Sequence, residues 1–430
     1  MKLRLLPLAL LLASCTYGSI STGISVPDKG WLFTGSGPYT LKVDAAPGPA
    51  TIQLVRDLSL MGKADIVFEC DVTVPEDSTL NVPLGMLEPG FYEVRLRDSL
   101  RWNIGVQPEK VVSEPDAPED FDEFWNATLA ELAAVPIEPT YTLIPSHSNP
   151  DCLCYEVRYP SWGGATAGGI LSVPTAPGKY PVYVEYMGYG AEPFYYSPAS
   201  DRIRYLVSVR DQGIFKNGQS RWIDRGLNSK EDFYYRGAFC DVRRALDFVC
   251  ALEKADTTQV CVMGESQGGA FATVAAALSP VPLKAASLAV PFLGDYRDYA
   301  RIVWWPVHEV LETLNLEETW YSVEQADEAA KEAGIARADE LDALFNMLRY
   351  FDVKNFAPKI SCPVIMGFGL QDPTCPPHTN FSIYNNLGSS VKQYVCIPTC
   401  GHGIWMEEDW PPLRDSFLDN GGAITITIKP

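Results

Sequence analysis

A chain of 430 residues with 34 Lys and Arg against 54 Asp and Glu carries a formal charge of −20. That length is ample for a buried core and for more than one domain. The charge argues against nucleic acid or an anionic membrane surface as partner. The chain opens with an export pattern: Lys2 and Arg4, an apolar run from Leu5 to Leu12, then Leu12-Ala13-Ser14-Cys15. Residues 1–14 read as a lipoprotein-type signal peptide, with Cys15 as the lipidation site. The expected address is outside the cytoplasm, as a bacterial outer-membrane lipoprotein or a periplasmic protein, with the N-terminal lipid anchor as the one membrane contact. An ordinary signal peptide ending near a cysteine is the competing reading. No later segment reaches the length needed to span a bilayer.

Residues 20–107 carry alternating apolar runs at Tyr39–Val43, Thr51–Val55, Ile66–Val74, Phe91–Leu96 and Trp102–Val106. Turn residues separate them, including Pro47-Gly48, Pro89-Gly90 and Asp98-Ser99. Short strands so spaced predict a small immunoglobulin-like β-sandwich, either a spacer or packing module or a sugar binder. Trp31, Tyr39 and Trp102 would fill its core or stack on sugar rings. Residues 108–118, with Pro108, Pro115 and Pro118, form a linker. From 119 to 430 strand-like and helix-like runs alternate, which predicts a doubly wound, mostly parallel α/β sheet. An insertion at about 292–351 begins near Trp304-Trp305-Pro306 and continues as an acidic helical stretch; it reads as a cap over the site. Trp304, Trp305, Phe194 and Tyr195 are candidates for limiting a bound group or touching sugar, with cap core as the plainer use.

Within that domain, residues 259–263 are apolar and Gly264-Glu265-Ser266-Gln267-Gly268 follows, then a small-residue, helix-compatible stretch to 278. Strand, Gly-x-Ser-x-Gly and helix in that order form a nucleophile elbow, whose turn strains its central residue and leaves no room for side chains at the glycines. A serine hydroxyl needs a base and a group that orients the base. Of four histidines, His402 follows the strand-like run Tyr394-Val395-Cys396-Ile397 and is the base by position. His147 precedes the nucleophile, His308 falls in the cap, and His378 reads as an exposed helix entry. Asp372, after the buried run 363–369, is the expected orienting acid; Asp295 and Asp298 compete. Backbone N–H groups of Gln267 and Tyr189 are the expected oxyanion donors, the latter after the strand 181–187. This chemistry needs no metal or cofactor, and the chain has no CxxC pair or His-rich cluster. Setting Cys15 aside leaves 11 − 1 = 10 cysteines, of which Cys396 with Cys400 and Cys152 with Cys154 are close in sequence.

Several ordered tracts resemble the acetyl xylan esterase/cephalosporin C deacetylase family, carbohydrate esterase family seven of the α/β-hydrolase superfamily. They are Asp120-Phe121-Asp122-Glu123-Phe124-Trp125, Met187-Gly188-Tyr189, Val209-Arg210-Asp211-Gln212-Gly213, Tyr234-Tyr235-Arg236, Asp241-Val242-Arg243-Arg244-Ala245, Gly264 to Gly269, and Gly369-Leu370-Gln371-Asp372 with Cys375-Pro376-Pro377. Met187 stands where the family has His, and Asp211 where it has the first Gly of Arg-Gly-Gln-Gly. The resemblance implies a Ser266–His402–Asp372 triad. It also implies an acetylated oligosaccharide or small acetyl ester as substrate, no cofactor, and a homo-oligomer as one assembly. Alternatives are a peptidase or broader carboxylesterase of the same fold, or a non-catalytic surface glycan-binding lipoprotein.

Overall fold

Tyr39, Leu41 and Val43 are buried while Thr40 and Lys42 are half-buried, the two-residue period of a strand with one face on a core. The computed structural model describes residues 24–25, 31–76, 79–97, 99–218 and 221–424. Residues 1–14, read above as a signal peptide, and Cys15 lie outside them. The N-terminal residues build two sheets around a shared apolar interior. One holds Ile24–Ser25, Tyr39–Asp44 and Thr79–Gly85; the other runs Leu32–Phe33, Leu100–Val106, Gly90–Leu96, Gly48–Arg56, Ile66–Val74. Trp31 is fully buried and meets Trp102 edge-on at 4.5 Å, and Tyr39 is buried, so these aromatics serve packing. The strand Thr79–Gly85 is absent from the sequence reading because Pro83 argues against a strand. It pairs on one side only, with Tyr39–Asp44, and an edge strand tolerates the missing donor.

The second part is a nine-stranded sheet. Its strands are β1 (Thr140–Leu143), β2 (Cys152–Pro160), β3 (Thr166–Pro174), β4 (Tyr180–Tyr186), β5 (Ile203–Ser208), β6 (Ala255–Glu265), β7 (Ala285–Ala289), β8 (Val364–Gly369) and β9 (Lys392–Ile397). Their order is β9-β8-β7-β6-β4-β5-β3-β2-β1. Strands β4 to β9 pair in parallel, and β1, β2 and β3 join antiparallel at one edge. Every residue of β7 and β8 is buried, as expected for strands covered on both faces. Helices α2 (Tyr234–Cys250) and α3 (Gln267–Ala277) pack on the sheet and on each other, and α1 (Phe121–Ala133) packs on α2. Five short helices follow β7: α4 (Tyr296–Ile302), α5 (Val307–Thr313), α6 (Glu317–Gln325), α7 (Glu328–Glu332) and α8 (Ala338–Leu348). Then α9 (Pro377–Asn386) comes after β8 and α10 (Trp410–Asp419) after β9. This is the α/β-hydrolase architecture with a small β layer before it. Among the described residues no helix is long and apolar enough to cross a membrane.

Candidate active site

Strand β6 ends at Glu265 and α3 begins at Gln267, leaving Ser266 alone in the turn at φ 58°, ψ −122°. A non-glycine residue there stores roughly 1–3 kcal/mol, held by the surrounding structure. The Ser266 N–H donates to the Ala289 carbonyl at 3.0 Å, and its own carbonyl accepts from Phe292 and Ala270, each at 3.1 Å. A Cβ on Gly264 would sit 2.1 Å from the Gly268 carbonyl oxygen, and one on Gly268 would sit 2.0 Å from the Tyr186 oxygen. Neither position admits a side chain, so the glycines of the motif are steric requirements of the turn.

The loops after β8 and β9 bring Asp372 and His402 to this serine. His402 Nδ1 donates to Asp372 Oδ2 at 2.8 Å, and His402 Nε2 faces Ser266 Oγ at 3.0 Å. A carboxylate only accepts, so the Nδ1 bond sets the tautomer and leaves Nε2 free to accept the hydroxyl proton. The other carboxylate oxygen, Oδ1, accepts from the N–H groups of Thr374 at 2.8 Å and Cys375 at 2.9 Å. Asp372 is buried while the His402 side chain is 23 % exposed, so the imidazole lies nearer the surface and the carboxylate behind it. The Tyr299 hydroxyl of α4 donates to the Thr374 carbonyl, tying α4 to the loop of Asp372. Among the described residues one His, Cys, Asp and Glu group is close enough to hold a metal ion. It is Asp372, Cys375 and His402, already joined as above, and burial pushes the Cys375 thiol well above its usual range.

The start of α3 lies directly against the end of β4, where a Gly268 Cβ would also come 3.2 Å from the Met187 carbonyl carbon. That brings the start of α3 beside the chain that leads into Gly188-Tyr189-Gly190. Several bonds hold the segment. Gly190 N–H donates to Gln212 Oε1 at 3.1 Å, and Gln212 Nε2 donates to the Tyr234 hydroxyl at 3.0 Å. Trp222 N–H donates to the Tyr189 hydroxyl at 2.8 Å. The Gln267 side chain turns inward to the Tyr235 hydroxyl at 2.7 Å. The tract around Arg210 therefore serves to support this segment. Arg210 binds Asp241 with Nε and Nη2, each at 2.8 Å, and the next residues carry Gln212 to the loop. Asp211 takes φ 63°, a left-handed conformation that Asp tolerates better than most residues, which explains how it stands in a glycine's place.

Phe292, whose N–H bonds the Ser266 carbonyl, stacks on Trp305 at 5.2 Å and 6°, and Trp305 meets Tyr189 edge-on at 5.7 Å. Trp304, Phe194 and Tyr195 are exposed. Nothing in the sequence pattern marks Trp405, yet it lies edge-on to the His402 ring at 5.5 Å and is 41 % exposed. The sequence reading also misses the acidic pair Glu185 and Glu265, the latter directly before Ser266. Burial, with Glu185 nearby, holds the Glu265 carboxyl up to about 7 against the opposing pull of Arg414, and burial raises Glu185 too. A carboxylate between Val184 and Tyr186 in an apolar strand is the available signal.

The competing residues lie elsewhere. Asp295 faces Lys354 at 3.4 Å, and Asp298 pairs with Arg301 at 2.7 Å. His147 stacks on Tyr195, and His308 of α5 is buried against the Ala300 carbonyl. His378 differs from expectation: it is buried, with Nδ1 3.1 Å from Asp57 and Nε2 3.4 Å from Asp298. Two carboxylates offset the cost of burying that ring. All ten described cysteines are free, including Cys152 and Cys154 within β2 and Cys396 and Cys400.

The family model for acetyl xylan esterase (AXE1) matches residues 109–407. An acetyl esterase, Axe7A, of Xylanibacter ruminicola is 26 % identical over 358 residues, covering 76 % of this chain and 74 % of that protein. Acetyl xylan esterase 1 from Thermoanaerobacterium sp. JW/SL YS485 superposes with a TM-score of 0.62 at 26 % identity, covering 74 % of this chain and 98 % of its own. The acetyl xylan esterase from Paenibacillus sp. R4 gives 0.59 at 28 % identity, covering 69 % and 93 %.

Proposed function

The chain belongs to the acetyl xylan esterase family and is a carboxylic ester hydrolase, and on that footing we propose that it removes acetyl groups from acetylated carbohydrates, xylan fragments or related glycosides, through a Ser266–His402–Asp372 triad. The observation that carries this reading is the His402 ring bonded to Asp372 on one side and to Ser266 on the other. As Ser266 Oγ attacks the acetyl carbonyl, His402 Nε2 takes its proton. Asp372 keeps the ring in the required tautomer and offsets the imidazolium charge. The N–H groups of Gln267 and Tyr189 receive the oxyanion, and His402 then protonates the departing sugar oxygen. Water attacks the acetyl-serine by the same route and releases acetate.

Phe292, whose N–H bonds the Ser266 carbonyl, and Trp305 stacked on it support a small acyl group, and exposed Trp405 beside His402 supports a sugar leaving group. Comparing nitrophenyl acetate, butyrate and octanoate with aminoacyl anilides, and acetate release from acetylated xylo-oligosaccharides, tests the substrate. Preference for acetate with release from the oligosaccharides is the expected result. Faster cleavage of the octanoate or the anilides would favour a broader carboxylesterase or a peptidase. The reading extends to an exported, lipid-anchored protein acylated at Cys15, for which metabolic labelling with a fatty acid, lost in Cys15→Ala, is the test.

A further inference from the structure

We propose that the N-terminal β layer positions the loop that carries Asp372, through a clamp between Asn103 and Gln371; this rests on the triad reading above. Gln371 immediately precedes Asp372, and Asn103 lies in the strand Leu100–Val106 of the N-terminal sheet. The pairing is reciprocal. Asn103 N–H donates to Gln371 Oε1 at 2.8 Å, Gln371 Nε2 donates back to the Asn103 carbonyl at 3.1 Å, and Asn103 Nδ2 donates to the Leu370 carbonyl at 3.2 Å. A primary amide facing a main-chain N–H and C=O satisfies both at once, as a neighbouring strand would.

The same Gln371 also joins the acid loop to the loop of the base. Its Nε2 donates to the Pro398 carbonyl at 2.9 Å, and its main-chain N–H donates to the Cys400 carbonyl at 2.9 Å, two residues before His402. One side chain therefore spans the N-terminal sheet, the acid loop and the base loop. The far end of the acid loop is pinned by the same β layer: His378 at the start of α9 contacts Asp57, and Phe91 packs on His378 at 6.4 Å and on Phe381 at 5.7 Å. Neither Asn103 nor Gln371 touches the serine, so their effect passes through the placement of Asp372 and His402. A displacement of about 1 Å in such a site costs on the order of 100-fold in rate.

The test is kcat and KM for nitrophenyl acetate in the full chain, with active sites counted by a fluorophosphonate. Gln371→Leu should lower kcat about 10- to 100-fold while KM changes less than about threefold. Gln371→Glu keeps an acceptor for the Asn103 N–H but turns a carboxylate oxygen toward the Asn103 and Pro398 carbonyls, so it should lower kcat at least as far as Gln371→Leu. Asn103→Ala, remote from the reacting atoms, should lower kcat in the same sense by a smaller factor, and it decides alone where Gln371→Leu does not fold. Wild-type kcat per counted site in the folded variants, whatever their urea stability, would overturn the positioning role. Ser266→Ala run alongside separates the two claims: if it is inactive while the clamp variants keep kcat, only the clamp falls. If it remains active, the triad beneath the clamp falls.

Discussion

Replacing Asp57 by Asn removes one charge from the buried Asp57–His378–Asp298 bridge but keeps an oxygen for the Leu58 N–H, which donates to Asp57 Oδ1 at 2.8 Å. Burial opposes the charge on His378, yet Asp57 and Asp298 outweigh it and hold the ring up to about 10 from an ordinary 6.5. At pH 7 that difference stabilises the folded chain by about 4 kcal/mol, taking 1.36 kcal/mol per unit. Losing one of two carboxylates should cost roughly half, about 2–3 kcal/mol. The sign follows from the direction of the shift. A group raised on folding contributes fully below its unfolded value, and the contribution is lost as pH rises through 10. The gap between wild type and Asp57→Asn should therefore be large at pH 6–7 and shrink below about 1 kcal/mol by pH 10. Urea unfolding at pH 7 and pH 10, followed at the first transition, measures it. A gap under about 0.5 kcal/mol at pH 7, or one that widens toward pH 10, would refute the reasoning.

Trp305→Ala removes the ring stacked on Phe292 and should raise the butyrate-to-acetate ratio of kcat/KM about tenfold; an unchanged ratio in nitrophenyl ester assays would remove Trp305 from the acyl wall. Trp405→Ala should raise KM for acetylated xylo-oligosaccharides about tenfold and for nitrophenyl acetate less than about twofold, since only the former offers a sugar face to stack. Equal effects on both substrates would argue against sugar contact. Glu265 is raised on folding from 4.5 to about 7, so its ionisation opposes folding and stability falls as pH rises through that interval. Glu265→Gln should gain about 2–3 kcal/mol relative to wild type between pH 4.5 and pH 8 in urea unfolding, and no gain would show that Arg414 already offsets the charge.

The main features of the site are legible in the sequence because each has a local cause. The elbow is written in Gly264 and Gly268, whose missing side chains the turn requires, and few histidines leave His402 standing after a strand. The apolar runs at β7 and β8 mark strands covered on both faces, and the end of β8 locates the loop of Asp372. The rest depends on distant pairings that no spacing records. Asn103 and Gln371 lie 268 positions apart, and each alone reads as an ordinary exposed amide. His378 reads as an exposed helix entry because its partner Asp57 belongs to the turn after an N-terminal strand and Asp298 to α4. Trp405 gains meaning only when the base loop turns its ring edge toward His402. The strand Thr79–Gly85 is hidden by Pro83, which an edge accepts and a centre would not.

The triad is tested most directly by trapping its intermediate. Acid quench during turnover of nitrophenyl acetate, followed by peptide mass mapping, should find one acetyl group on the peptide carrying Ser266. The burst of nitrophenol should match the enzyme concentration. Ser266→Ala should show neither, with kcat lowered by about 10⁶. An acetyl group on another residue, or near-wild-type turnover by Ser266→Ala, would contradict it.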